Sequence, residues 1–447
     1  LPVALSGQFH LRLAQKIETP VTASVVVLEK TDETGKSIDQ AIMVACDLVA
    51  IREGIIDLVR EAVAARNLEG LDPAKIFLSA THTHTAPVMR ENAYPIPKEG
   101  VTQPSEFVAL LSDKVATAIE SAWNSRKAGA AGWGLGHAVV AHNRRATYLD
   151  GSAEMYGTTS SANFKGIEGY EDHGVEVLFF WQGGEENPVA VAVNVACPAQ
   201  VVEGRENVNA DYWHYVRAGL AEKFGDEVVV LGWVGAAGDQ APRPMFRKKA
   251  ENRMIEARGL SQLEEVSRRI VRAVEDAWSV AKEDRHADPP FEHRVAELTL
   301  PKRMVTDEEV ASAKSEIEKL RSGTPEEIQK NMKRWLWQQQ TVDRHAEQID
   351  DPVLPMEMHA IRIGDIAICT NRFELFTEYG MRIKGRSPAL QTFVIQLCGP
   401  GSYLATADAE AGGSYSAIVN SCLIGPDGGQ VLVDESVKAI EGMWKGR

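Results

Sequence analysis

A chain of 447 residues with 44% hydrophobic content is long enough for one large catalytic domain or two ordinary ones, each with a sizeable core. Its 48 Lys and Arg stand against 63 Asp and Glu, a formal charge of -15 that repels phosphate backbones and argues against nucleic-acid binding or a basic membrane-docking face. No apolar run approaches the ~20 residues a membrane helix needs, so a transmembrane segment is excluded and small polar ligands are the expected partners.

Taken in chain order, Ala23 to Leu28 and Ala41 to Cys46 read as strands, Gly54 to Ala65 as an amphipathic helix and Ile76 to Ala80 as a buried strand. A helix follows from about Pro104 to Arg126, then strands at Ala138 to Ala141, Val175 to Trp181 and Val189 to Val195. Asp211 to Phe224 reads as a helix, and the strand Val228 to Val234 runs into the glycine-containing loop Gly235 to Pro242. From Leu260 to Lys282, Leu263, Val266, Ile270, Val274 and Trp278 recur at helical spacing. Thr306 and Glu309 form a capping box that opens a charged helix, and Pro325 to Gln348 continues as another; residues 306–348 are expected to be a helical insertion, either a solvated excursion or a lid. Strands return at Ala360 to Thr370 and Phe393 to Cys398. The fold class predicted is α/β, with mixed β-sheets flanked by helices in a single large domain over residues 1–447.

Five cysteines, Cys46, Cys197, Cys369, Cys398 and Cys422, are odd in number, widely spaced and mostly set in apolar runs, the pattern of buried free thiols. The chain begins at Leu1 with no basic, apolar and small-residue leader, which leaves the compartment open between cytoplasm and export with a trimmed signal. The oligomeric state is open as well.

The segment richest in chemistry is Phe77 to Pro87, where a buried strand ends in His82 and His84. In an extended chain both rings project to the same side, where imidazoles bind a transition metal or one binds while the other handles a proton. The plainer reading is two polar residues at a strand end. Glu374 falls at a strand-to-helix junction, placed either to turn inward as a ligand or to favour the helix dipole. Tyr403 and Tyr415 lie in glycine-rich loops.

The ordered series Asp47-Leu48, Thr81-His82-Thr83-His84, Asn143-Arg144, Asn209-Ala210-Asp211, Gly238-Asp239, Phe373-Glu374, and Tyr403 followed by Tyr415 resembles the catalytic domain of the neutral, non-lysosomal ceramidases. The resemblance implies a metal-dependent, amidase-like hydrolase with zinc or another divalent metal. His82, Glu374 and Tyr403 would be its ligands, with His84, Arg144 and Tyr415 around the reacting group. The family's C-terminal immunoglobulin-like domain is not expected, because the chain stops 32 residues after Tyr415.

The sequence departs from the family at two positions. Where the family offers a second histidine ligand, this chain reads Asn194-Val195-Ala196-Cys197-Pro198-Ala199-Gln200. Cys197 is a candidate thiolate ligand or a buried core thiol, Gln200 is a candidate to point in, and His142 and His214 are spare imidazoles. The family's serine after Gly-Asp falls at Ala241, which excludes a serine nucleophile there. Asp239 remains a candidate base, an anchor behind a histidine, or a turn-forming residue. Arg145, Arg205 and Arg243, like Arg144, are candidates to hold a carboxylate, phosphate or sugar hydroxyls, or plain supporting arginines.

The mechanism expected is hydrolysis of an amide or related bond in a soluble polar substrate, with long-chain ceramide disfavoured. The alternatives are a non-catalytic ligand-binding descendant and a metal-dependent lyase or isomerase acting on a carbohydrate.

Overall fold

The computed structural model describes residues 1–445. The apolar runs form strands close to where their periodicity places them, and these assemble into three main sheets. In the first, Ala23–Thr31 pairs antiparallel with Ser37–Cys46, and Ile76–Ala80 adds parallel on the far side. The second has the order Val229–Val234, Ala190–Val195, Gly174–Gln182, Gly129–His137, with one parallel pair at the start. In the third, Phe291–Pro301 pairs with Val353–Ile363, then Ile366–Thr370, then Gln391–Ile395 in parallel.

One face of each sheet turns to a shared centre, where Met43, Phe77, Phe180, Trp233, Ile361 and Phe393 pack together. Burying each such side chain contributes roughly 1.5–3 kcal/mol. The outer faces are covered by helices whose apolar stripes the sequence already shows. Ile55–Ala64 and Pro104–Asn124 cover the first sheet, Tyr212–Phe224 and Gln262–Ala281 the second, and Thr377–Arg386 and Pro426–Trp444 the third.

Three expectations need correction. Ala138 to Ala141 is not a strand; the strand is the preceding Gly129–His137, and residue 138 begins a bend closed by Val140 N donating to Ala138 O. Ala360 to Thr370 divides into two strands around Gly364, which holds φ +60 against the Trp133 ring and admits no Cβ. Pro325 to Gln348 divides into Pro325–Lys330 and Met332–Glu347. The capping box of Thr306 and Glu309 forms as its spacing requires, opening Asp307–Arg321.

All five cysteines are free, and all but the half-buried Cys398 are buried. Among the described residues no helix is long and apolar enough to cross a membrane.

Each sheet contains one parallel pair, and the loops leaving the C-terminal ends of those strands interlock. Ala199 N donates to Thr81 O (3.1 Å), Gly238 N to Leu375 O (2.7 Å) and Gln396 N to Val234 O (3.0 Å). The buried Gln396 side-chain oxygen accepts from Ala237 N (3.1 Å) and Leu375 N (3.0 Å), tying loops of two sheets into one crest. Candidate site residues converge there because all three sheets deliver their loops to it.

Candidate active site

His82 is the first residue to consider. The strand ends at Ala80, and His82 adopts φ +66, so the two histidines are not in extended chain as expected; their rings meet edge to face with centroids 4.9 Å apart. A left-handed histidine is uncommon and persists only where its surroundings enforce it. Here the His82 Nδ1–H donates to Val49 O at 2.6 Å. That bond makes Nδ1 a donor and turns Nε2 toward Glu374.

Nε2 of His82 lies 3.3 Å from Glu374 Oε2 and has no hydrogen-bond partner. Glu374 and Tyr403 are brought side by side by a two-residue parallel ribbon, Glu374–Leu375 against Tyr403–Leu404, in which Glu374 and Tyr403 are direct register partners. Burial would raise the Glu374 carboxyl, but the facing His82, the Tyr403 hydroxyl and the nearby Arg144 outweigh it and hold it down to about 2. Tyr403 is pushed well above its ordinary value by burial and by Glu374, so it stays a neutral phenol.

An imidazole nitrogen set against a carboxylate at this distance needs a proton or a cation between the two. The donor set of imidazole, carboxylate and phenol suits a divalent transition metal such as zinc. Among the described residues no group of three or more His, Cys, Asp and Glu side chains gathers as a metal cage. The histidine and carboxylate that do converge are supplemented by a phenol.

His84 turns the other way. Its Nε2 contacts Gln200 Nε2 at 2.9 Å, and its Nδ1 lies 3.4 Å from Glu203 Oε2. With the Gln200 amide donating, Nε2 is the acceptor and Nδ1 carries the proton. Burial lowers His84 to about 4, although Glu203 opposes the shift, so the ring is neutral at pH 7. Its close backing is Gly7, at φ +99, where a Cβ would stand 2.3 Å from the His84 ring. Arg12 from the same N-terminal segment donates to His84 O.

Arg144 closes the cluster. Its guanidinium donates to Gly238 O (2.8 Å), Tyr156 OH (3.1 Å), Tyr403 OH (3.2 Å) and Gln200 Oε1 (3.3 Å). Burial works against this cation, but Tyr156, Tyr403 and Glu374 hold it charged. Gln200 therefore bridges His84 and Arg144 through the two ends of its amide. Tyr415 packs edge-on against Tyr403 at 5.6 Å, and burial together with Glu374 raises it to about 12.

Several candidates stand elsewhere. Cys197 is fully buried in the core of the second sheet, its thiol against Val140 O (3.5 Å) and Pro198 O (3.8 Å), and it is not brought to His82. Asp239 is saturated: Oδ1 accepts from Thr377 N (2.9 Å) and Thr377 Oγ1 (2.7 Å), and Oδ2 accepts from Asn143 Nδ2 (2.8 Å). This makes it an anchor between loops rather than a free carboxylate. Ala241 is buried on a short ribbon opposite His142, whose ring faces Glu171, and the His214 ring packs on Tyr215. Arg145 is a fully buried clamp, donating to Ala409 O, Gly413 O and Tyr415 O, and so fixes the loop that presents Tyr415. Arg205 pairs with Glu18, and Arg243 with Glu203.

Sequence reasoning missed the roof of the cluster. Phe9 of the N-terminal segment and Trp337 of the helix Met332–Glu347 meet each other (5.7 Å) and both meet Tyr415, at 6.0 and 5.8 Å. Trp337 thus brings one helix of the 306–348 segment against Tyr415. The amphipathic pattern of these helices does not say which partner they cover, so no sequence signal marked Phe9.

No protein-family model matches the sequence, and no curated protein matches it significantly. Solved structures do match in fold. A neutral ceramidase from Pseudomonas aeruginosa superposes with a TM-score of 0.67 at 16% identity, covering 99% of this chain and 72% of that one. A ceramidase complexed with C2 superposes with a TM-score of 0.69, also at 16% identity, covering 99% and 73%. This chain has the fold of these ceramidases over essentially its whole length.

Proposed function

We propose that this protein is a metal-dependent hydrolase, with zinc the expected ion, that cuts an amide or related bond of a soluble polar substrate. The observation carrying the reading is the buried Nε2 of His82, without a hydrogen-bond partner, held 3.3 Å from the Glu374 carboxylate. His82, Glu374 and Tyr403 would hold the ion. When bound, such an ion supplies a Lewis acid that polarises the bond to be cut and acidifies water towards a pKa of ~7.

The chain's own residues supply the rest. His84, neutral and backed by Glu203, can take a proton at Nε2 if the Gln200 contact yields, and can share the resulting charge with that carboxylate. Arg144 and the Tyr415 hydroxyl are placed to stabilise negative charge developing on the substrate oxygen, an effect typically worth 100-fold or more, about 3 kcal/mol. Ala241 offers no hydroxyl, so water is the nucleophile in this reading. The fold shared with ceramidases supports hydrolysis as the reaction class.

The test is elemental analysis of the purified protein, combined with hydrolysis of a panel of soluble N-acyl compounds before and after chelation. One bound zinc, loss of hydrolysis on chelation, and loss of both in His82→Ala are expected. A metal-free protein whose melting is unaffected by added zinc would leave the ligand-binding alternative instead.

A further inference from the structure

The helix Met332–Glu347 presents one stripe to the rest of the chain. Lys333, Trp337, Thr341 and Arg344 follow one another at three- and four-residue spacing and so share a face. Trp337 meets Tyr415 from that stripe, whose two ends are held very differently.

The C-terminal end is built in. Thr341 is buried, and its hydroxyl accepts from Asn420 Nδ2 (2.7 Å), which also donates to Gln338 Oε1 (2.9 Å). Val342 packs against Val305, Val310 and Val419. Arg344 donates to Val419 O (2.7 Å) and Arg303 O (3.0 Å), and the Gln348 amide exchanges two hydrogen bonds with the backbone of Val305 (2.7 and 3.2 Å).

The N-terminal end stands over a void. A cavity of about 460 Å³ has Gln329, Lys330 and Lys333 on one bank and Phe9, Leu11 and Tyr94 on the other. Among the described residues, none of Pro325–Lys330, the short helix leading into this end, is buried. Lys333 crosses the gap. Its Nζ donates to Gln8 O (2.8 Å) and Tyr94 OH (2.7 Å) and sits over the rings of Tyr94 (4.7 Å) and Phe9 (5.5 Å). Burial lowers Lys333 to about 7, so its ammonium is held there at a cost that exposure to water removes. The opposite bank is the firmer one. Arg12 pins the N-terminal loop by donating to Glu203 O and Arg205 O (both 2.7 Å), and Tyr94 OH donates to Gln8 O (2.6 Å).

A segment packed at one end and thinly held at the other opens at the second and turns about the first. We propose that the helix Met332–Glu347 is a hinged cover for the candidate site, with its hinge at Thr341, Arg344 and Gln348 and with Lys333 as the latch to the N-terminal loop. Releasing the latch lifts Trp337 from Tyr415, whose ring lies 5.6 Å from that of Tyr403, and opens the cluster from this side. That the opening admits substrate rests on the reading of His82, Glu374 and Tyr403 as the reaction centre; the hinge and the latch do not.

The test compares the full chain with Lys333→Met, which keeps the apolar stem over Phe9 and removes the donors. Spin labels at the exposed positions Glu326→Cys and Lys98→Cys report the free end by double electron–electron resonance, and labels at Ala346→Cys and Lys98→Cys report the hinge end. Lys333→Met should raise the population at longer distance about tenfold in the first pair, the fold-change that loss of one or two hydrogen bonds produces, and leave the second pair unshifted. Hydroxyl-radical footprinting should show Trp337 and Tyr415 oxidised more readily in Lys333→Met. Neither readout needs metal or turnover, so a chain that hydrolyses nothing still tests the cover, and the hydrolase reading fails separately in the metal analysis. An unshifted first pair, an equal shift in both pairs, or unchanged oxidation of Trp337 and Tyr415 overturns the proposal.

Discussion

Asp239→Asn separates two roles for a carboxylate beside the candidate site. In the structure Asp239 accepts three hydrogen bonds, two from Thr377 and one from Asn143. An asparagine keeps the Thr377 pair on its remaining oxygen but turns an amide N–H toward Asn143 Nδ2. Asn143 cannot flip to accept it without losing the bond its Oδ1 accepts from Arg145 N at 3.0 Å. One charge-assisted bond is lost and two donors face each other, a cost of about 2–3 kcal/mol. With an unfolding entropy of about 2.1 cal/mol/K per residue, that corresponds to a fall in melting temperature of roughly 2–3 °C for a chain of 447 residues. Because Gly238 O anchors Arg144, turnover should drop as well, while the pH dependence of kcat/KM keeps its shape. The assays are differential scanning calorimetry and a pH–rate profile. If Asp239→Asn left melting unchanged and erased one limb of the profile, Asp239 would be a proton carrier and the anchoring argument would be refuted.

Two further outcomes follow from contacts already described. Cys197→Ala should retain full metal content by elemental analysis and cost about 1 kcal/mol in urea unfolding, since its thiol packs in the core against Val140 O and Pro198 O; loss of the metal would reinstate it as a ligand. Trp337→Ala removes ring contacts to Phe9 and Tyr415, each worth about 0.5–1.5 kcal/mol, so KM should rise about fivefold with kcat little altered; an unchanged KM would show that the helix Met332–Glu347 does not border the substrate.

The strand Ile76–Ala80 and the histidines after it were legible because a short apolar run and a close pair of imidazoles are both unusual in composition. Glu374 and Tyr403 were individually legible, but not why they meet. They meet through a two-residue ribbon spanning 29 positions, too short to carry a periodic signal. Gly129–His137 escaped recognition because it is built on glycines rather than β-branched residues, and the run after it, rich in Ala and Val, imitates the strand that has just ended. The N-terminal segment was silent for another reason. Gly7, Phe9 and Arg12 act through packing against His84 and Tyr415, and neither an isolated glycine nor a lone aromatic names its partner. Cys197 and Asp239 show the converse: residue types capable of chemistry were placed in the right loops, and only the three-dimensional neighbours show the thiol packed in the core and the carboxylate already occupied.

The glycines of Gly129–His137 also set limits on mutational drift. A Cβ at Gly136 would stand 2.1 Å from Ala273 O, and one at Gly134 would stand 2.8 Å from Ala277 O, so the helix Gln262–Ala281 rides directly on bare backbone. That helix holds the next one through Ser267 Oγ donating to Tyr212 O at 2.9 Å, and Asp211, at the start of that second helix, accepts from Val202 N at 2.8 Å. The loop so held carries Gln200 and Glu203. A single added methyl on a distant edge strand would therefore act as a wedge whose displacement is passed by two helices to the residues flanking His84. Gly134 and Gly136 therefore leave almost no room for any side chain beneath that helix.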